Sequence, residues 1–244
     1  MMNFTYNGFI NLIEMLKKNQ FVFSSYDDVI DSKQAIIRHD IDLSLDKALR
    51  IGEIEKSYNV KSTYFLLLST DFYNVFSISG QKAINKLLQY GHEIGLHFDE
   101  QKYVKDAGNP DLICQHIISE AETLSKATGC PVTKVSMHRP SKGIIDCDLS
   151  IPGITNTYGA KYIKEYKYVS DSRRRWREPI DEYIENGSYD KLQILIHPFW
   201  YNDNELSLEE SLSQFIKKAA LDRYDELNEN LANLEDILVR EDFV

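Results

Sequence analysis

The 244-residue sequence is poor in cysteine, with three in all and no pair at C-x-x-C spacing. A disulfide framework is therefore not expected, and Cys114, Cys130 and Cys147 read as small apolar side chains in a reducing, cytoplasmic compartment. Long apolar runs are missing, so no membrane span is expected. The first residues, MMNFTYNGFINLIEMLKKNQ, lack the apolar core of a secretory signal. An excess of positive charge is missing too. With 28 Lys and Arg against 38 Asp and Glu, the net charge is −10, which disfavours nucleic acid and anionic membrane as general partners. One local exception is RRRWR at 173–177. Glycine (11) and proline (6) are sparse, and there is no internal repeat, low-complexity segment or linker. The length suits one domain with a sizeable core.

What is present is an alternation of short apolar strands and helical stretches. Phe9, Leu12, Ile13 and Leu16 fall at helical spacing, predicting an amphipathic helix over about 7–18. Strands are predicted at 35–40 (AIIRHD), 62–69 (STYFLLLS), 92–98 (HEIGLHF), 132–138 (VTKVSMH) and 191–197 (KLQILIH), with weaker ones at 155–160 and 165–171. Helices are predicted at 43–58, 80–91 and 109–129, and from Ser207 onward, where Ser207 and Glu210 have capping-box spacing. Strand–helix alternation over most of the chain implies a parallel sheet in a single α/β domain, either an open sheet or a closed barrel. Tyr224, Leu227, Leu231, Leu234 and Leu238 repeat at 3-4-3-4. That spacing offers either a homodimer seam or a face packed on the protein's own core.

Four predicted strands end in similar chemistry: His39-Asp40-Ile41-Asp42, His97-Phe98-Asp99, His138-Arg139 and His197-Pro198. Parallel strands present their C-terminal ends on one face, where α/β active sites form. Buried acids and imidazoles gathered there are costly unless a metal or substrate satisfies them. Neutral imidazole with carboxylate suits Zn²⁺ or a related divalent ion. Asp40 and Asp42, at i and i+2 of an extended segment, point to one face. One can ligate a metal and the other can take a proton from water, while His197 protonates a leaving group. The alternative reading of Asp42 is a helix N-cap and nothing more.

RHDID, STYFLLLS, GHEIGLHFD, HRP and LQILIHP occur in the order of motifs in the polysaccharide deacetylase superfamily (NodB-homology, carbohydrate esterase family 4), which the chain resembles over about 34–200. The resemblance implies a distorted TIM-like (β/α) barrel of about seven parallel strands. It also implies hydrolysis of acetyl groups on a carbohydrate, with a divalent metal as cofactor: Zn²⁺ first, with Co²⁺, Mn²⁺ and Ni²⁺ as alternatives. Carried over, Asp40 matches the catalytic base, Asp42 the metal aspartate and His97 the first metal histidine. Arg139 matches the arginine that steadies the base, Asp171 the acid that tunes the catalytic histidine, and His197 that histidine. Two departures stand out. Ile41 separates acids that are adjacent in the family, and Gln101 stands where its second metal histidine belongs. The pattern resembles a divergent branch carrying RHDVD, associated with surface-polysaccharide synthesis. His138, ending the next strand, is expected to replace the missing ligand, with Asp99 and Gln101 as alternatives. Trp176 and Arg174 are candidate sugar and anion contacts. The competing readings are a hydrolase of another small amide on the same fold, and a sugar-binding protein that has lost its metal.

Overall fold

The computed structural model of the protein describes residues 3–28, 30–106 and 108–243. The chain divides into two compact units, Met1–Tyr201 and Asn202–Val244. In the first, helix α1 (Tyr6–Lys18) starts where the Thr5 side chain accepts from the Gly8 amide, and it buries Phe9, Leu12, Ile13 and Leu16 along one stripe. There follow β1 (Val22–Phe23), β2 (Gln34–Ile41), α2 (Leu45–Ser57), β3 (Thr63–Leu67), α3 (Ile78–Gln89), β4 (Glu93–Asp99) and α4 (Pro110–Thr128). Next come β5 (Lys134–His138), α5 (Lys142–Asp146), β6 (Thr155–Asn156), α6 (Ala160–Glu165), β7 (Lys167–Ser170), α7 (Ile180–Glu185) and β8 (Lys191–Ile196). Helix α4 shows how local chemistry sets an element's limits. Asn109 caps it, Pro110 opens it, and Gly129 ends it in the left-handed conformation that glycine adopts without strain.

The strands run in the order β6-β5-β4-β3-β2-β8-β7, with β1 added beside β2, and every pairing is parallel. This is the circular order of a barrel left open between β6 and β7, a curled half-barrel of seven parallel strands that matches the expected fold. All eight residues of β2 and all five of β3 are buried, as strands covered on both faces must be. Ile37, Ile41, Tyr64 and Leu66 belong to the outer core with the buried helix residues, whereas Ile36 and Phe65 belong to an inner cluster with Tyr26, Tyr162 and Tyr166. Gly95 on β4 makes room for this inner packing, since a Cβ there would lie 2.4 Å from the Phe65 ring.

The second half of the first unit departs from the sequence expectation. The strand predicted at 155–160 is only Thr155–Asn156, and short α5, α6 and α7 fill the connections. In the second unit, α8 (Leu208–Asn230) begins with the predicted capping box of Ser207 and Glu210. It stops at Asn230, so Leu231, Leu234 and Leu238 do not continue the stripe of Tyr224 and Leu227. The Tyr224 hydroxyl instead donates to the Leu238 carbonyl. No helix among the described residues is long and apolar enough to cross a membrane.

Candidate functional site

Alternation along β2 divides the charges of RHDID between two faces. Arg38, Asp40 and, just beyond the strand, Asp42 are turned to the inside of the half-barrel. His39 is turned outward, against α2, where its Nε2 lies 2.8 Å from Glu55 Oε1. Helix α2 is capped by Ser44, whose hydroxyl accepts from the Lys47 amide, so Asp42 is not used as the cap.

Around Asp42, side chains from three other strands converge. Asp42 Oδ1 lies 3.2 Å from His97 Nε2 and 3.8 Å from His138 Nε2, and Asp42 Oδ2 lies 4.0 Å from His197 Nε2. Asp40 Oδ2 lies 3.9 Å from His97 Nε2. Donor atoms of Asp42, His97 and His138 all stand within 4.8 Å of one another. Tetrahedral donors at Zn–N distances of about 2.0–2.1 Å are separated by roughly 3.3 Å, so this trio needs little movement to share one ion. The outer bonds of the imidazoles favour the same use. His97 Nδ1 donates to the Ser136 carbonyl at 3.1 Å, and His138 Nδ1 faces Asp99 Oδ2 at 3.2 Å. Each bond leaves Nε2 turned to Asp42, the arrangement that fixes metal-binding histidines. Asp42 Oδ1 is buried without a hydrogen bond, an acceptor in want of a cation. Gln101 is exposed, and its backbone amide donates to Asp99 Oδ1.

The protonation of these groups follows from their neighbours. Burial opposes ionisation of Asp42, but the close approach of His97 Nε2 and the charges of His97, His197 and His138 outweigh it and hold the carboxyl down to about 2. Burial likewise disfavours the His197 imidazolium. Asp171, by charge and hydrogen bond, overcomes this with help from Asp42 and Asp40, raising His197 to about 9. Asp171 is fully buried. Its Oδ1 lies 2.6 Å from His197 Nδ1, both its oxygens accept the His197 amide at 3.0 Å, and the Tyr201 hydroxyl bonds it as well. Burial and the His97 charge push His138 down.

Asp40 is 3% exposed. Its Oδ2 accepts from Ser136 Oγ at 2.9 Å and Arg38 Nη2 at 3.3 Å, while its Oδ1 has no hydrogen-bond partner. The arginine beside the acid is thus Arg38 and not Arg139. Arg139 adopts φ of 50° and is 70% exposed, and it pairs with Asp99 at 3.2 Å. Trp176 neighbours Tyr201, whose hydroxyl bonds Asp171. Trp176 packs half-buried on the core, and the Arg174 guanidinium lies 5.5 Å from the Phe4 ring centroid. Sequence reasoning overlooked Arg38 and Ser136. The signal for Arg38 was present, because position i−2 of a strand shares the face of Asp40. Ser136 carried none beyond lying on the predicted fourth strand.

No family model matches the chain, and no curated protein matches it. Several solved structures are similar to it. Against peptidoglycan deacetylase PdaC from Bacillus subtilis the identity is 16% and the TM-score 0.47, covering 83% of this chain and 98% of that one. Against the catalytic domain of a peptidoglycan N-acetylglucosamine deacetylase from Eubacterium rectale the values are 15% and 0.48, covering 80% and 87%. A CE4 family pseudoenzyme from Bacillus anthracis gives 14% and 0.46, covering 82% of this chain and 65% of that one. At such identities the functional reading rests on the side chains themselves.

Proposed function

We propose that the chain is a divalent-metal-dependent hydrolase of the polysaccharide deacetylase type, removing acetyl groups from an amino sugar or polysaccharide precursor. The observation that carries this reading is the meeting of Asp42, His97 and His138 donors within 4.8 Å, with His197 beside them 4.0 Å from Asp42. These three would hold the ion, with Asp99 and the Ser136 carbonyl orienting the two imidazoles. A bound Zn²⁺, Co²⁺, Mn²⁺ or Ni²⁺ would polarise the acetyl carbonyl and lower the pKa of the attacking water.

The chain's own groups then divide the proton work. Asp40 Oδ1, free of hydrogen bonds, accepts the proton of the attacking water, while Oδ2 stays tied to Ser136 and Arg38. Asp42 is the better ligand of the two acids because it stands closest to both Nε2 atoms. His197, raised to about 9, is an imidazolium at neutral pH and can donate from Nε2 to the departing amine or hydroxyl. The buried Asp171 fixes its orientation through Nδ1. With three unpaired cysteines, we place this chemistry in a reducing cytoplasm.

The test is acetate release from N-acetylglucosamine oligomers and from acetylated xylan by protein reloaded with each of the four metals. Release that stops on chelation and returns with metal supports the reading. No release from either substrate with any metal overturns it.

A further inference from the structure

We propose that Arg38 is the positioning residue of the base, and that the arginine function expected of Arg139 lies within strand β2 itself. This deepens the deacetylase reading and rests on it. The Arg38 side chain has no exposed surface, and the carboxylate it touches is Asp40. Other bonds go to Thr157 Oγ1, to the Tyr158 hydroxyl at 3.0 Å and to the Tyr26 hydroxyl. The Tyr158, Tyr168 and Phe65 rings surround it at 4.8, 5.8 and 5.9 Å. A guanidinium taken so far from water is costly unless a charge and hydrogen bonds compensate it, and this box supplies both at the Nη atoms while Nε is left without a partner.

The consequence for Asp40 is geometric. With Oδ2 held by Arg38 Nη2 and Ser136 Oγ, the carboxylate is oriented so that Oδ1 is the oxygen left for substrate water. Arg139, at the end of β5, faces Asp99 and solvent. Three successive inward positions of one segment therefore carry the positioning arginine, the base and the metal aspartate: Arg38, Asp40 and Asp42. Period-two alternation alone aligns them.

The experiment compares Arg38→Met, Arg38→Ala and Arg139→Met in the full chain loaded with Zn²⁺, reading acetate release from N-acetylglucosamine oligomers and bound metal. Arg38→Met should lower kcat about 10²-fold with KM and metal content little changed. Added guanidinium should restore part of the Arg38→Ala rate, and Arg139→Met should cost less than Arg38→Met. A greater kcat loss in Arg139→Met, or an Arg38→Ala rate that guanidinium cannot raise, overturns the proposal. A second readout needs neither metal nor turnover. In metal-free protein, Asp40→Asn should recover thermal stability lost in Arg38→Met, since a neutral amide no longer needs the cation. No recovery contradicts the pairing. If wild-type protein releases no acetate, the functional reading fails while this cycle still decides whether Arg38 pairs with Asp40.

Discussion

Two histidine–carboxylate clusters lie on opposite faces of the segment that runs from strand β2 to Asp42. On the outer face, Glu55 meets His39, His92, Tyr64 and Ser62. On the inner face, Asp42 meets His97, His138 and His197. Composition alone does not tell them apart, and each face leaves buried atoms without a hydrogen bond, His39 Nδ1 and His92 Nδ1 on the outer one; the bonding of the carboxylate oxygens is what differs. Both Glu55 oxygens are taken, Oε1 by His39 at 2.8 Å and Ser62 at 2.6 Å, and Oε2 by Tyr64 at 2.6 Å. His39, His92 and Glu55 side chains have no exposed surface, and His92 Nε2 bonds the Gly52 carbonyl at 2.9 Å. On the inner face, Asp40 Oδ1 and Asp42 Oδ1 have no hydrogen bond, and the Asp42 side chain is 29% exposed. A sealed carboxylate with every acceptor filled holds helix α2 to the sheet. A half-open one with acceptors to spare has the bonding capacity to take a ligand.

The sharpest break in this symmetry concerns turnover. Asp40→Asn and His197→Ala should each lower kcat about 10²–10⁴-fold while the metal stays bound. Acetate release and metal analysis on the same samples check this. Loss of metal in Asp40→Asn but not in Asp42→Asn would exchange the roles of the two acids.

On the outer face, Glu55→Ala should destabilise the protein by about 3–5 kcal/mol, because His39, Tyr64 and Ser62 lose a shared buried acceptor. Denaturant unfolding should show the same loss with and without Zn²⁺. A Glu55→Ala protein as stable as wild type would erase the contrast.

The faces also differ in pH response. The folded-state pKa of His197 lies at about 9, above its ordinary 6.5. Its contribution is therefore fully present below pH 6.5 and is lost as pH rises toward 9. In metal-free protein that loss is on the order of 3 kcal/mol. Glu55 is held below its ordinary 4.5: burial opposes this, but His39, His92 and Ser62 prevail. Its contribution is present above pH 4.5 and lost as pH falls through the lower folded value. Unfolding midpoints across pH should show an alkaline decline that Asp171→Asn removes and an acid decline that it leaves in place.

The smallest effect probes the outer bond of one ligand. Asp99→Asn should weaken Zn²⁺ binding about 10–100-fold by freeing the His138 ring. Competition against a chromogenic chelator measures it, and an unchanged affinity would remove Asp99 from the site.

Much of this was legible in the sequence, for identifiable reasons. AIIRHD, STYFLLLS, HEIGLHF and KLQILIH are apolar runs of strand length, and each lies on a central strand of the sheet. Asp40 and Asp42 were readable as a same-face pair because a strand's period is fixed. That period also sends His39 outward, away from the acid that follows it in the sequence. Arg38 was hidden by the resemblance, which pointed to Arg139. The turn at φ of 50° that sends Arg139 to solvent is a property of the loop, not of the motif. The region 139–180 was obscure because its elements are two to six residues long, too short for any periodicity to register. Trp176 and Arg174 were singled out by residue type, and their packing on the core and on Phe4 depends on tertiary neighbours.

The central claim is that the inner cluster is a metal centre built from Asp42, His97 and His138. Metal analysis of protein purified without chelator, then incubated with excess Zn²⁺, Co²⁺ or Mn²⁺ and desalted, tests it most directly. The account predicts one divalent ion per chain, lost in Asp42→Ala, His97→Ala and His138→Ala. Wild-type protein that retains no ion under these conditions, or a His138→Ala variant that binds as tightly as wild type, would contradict it.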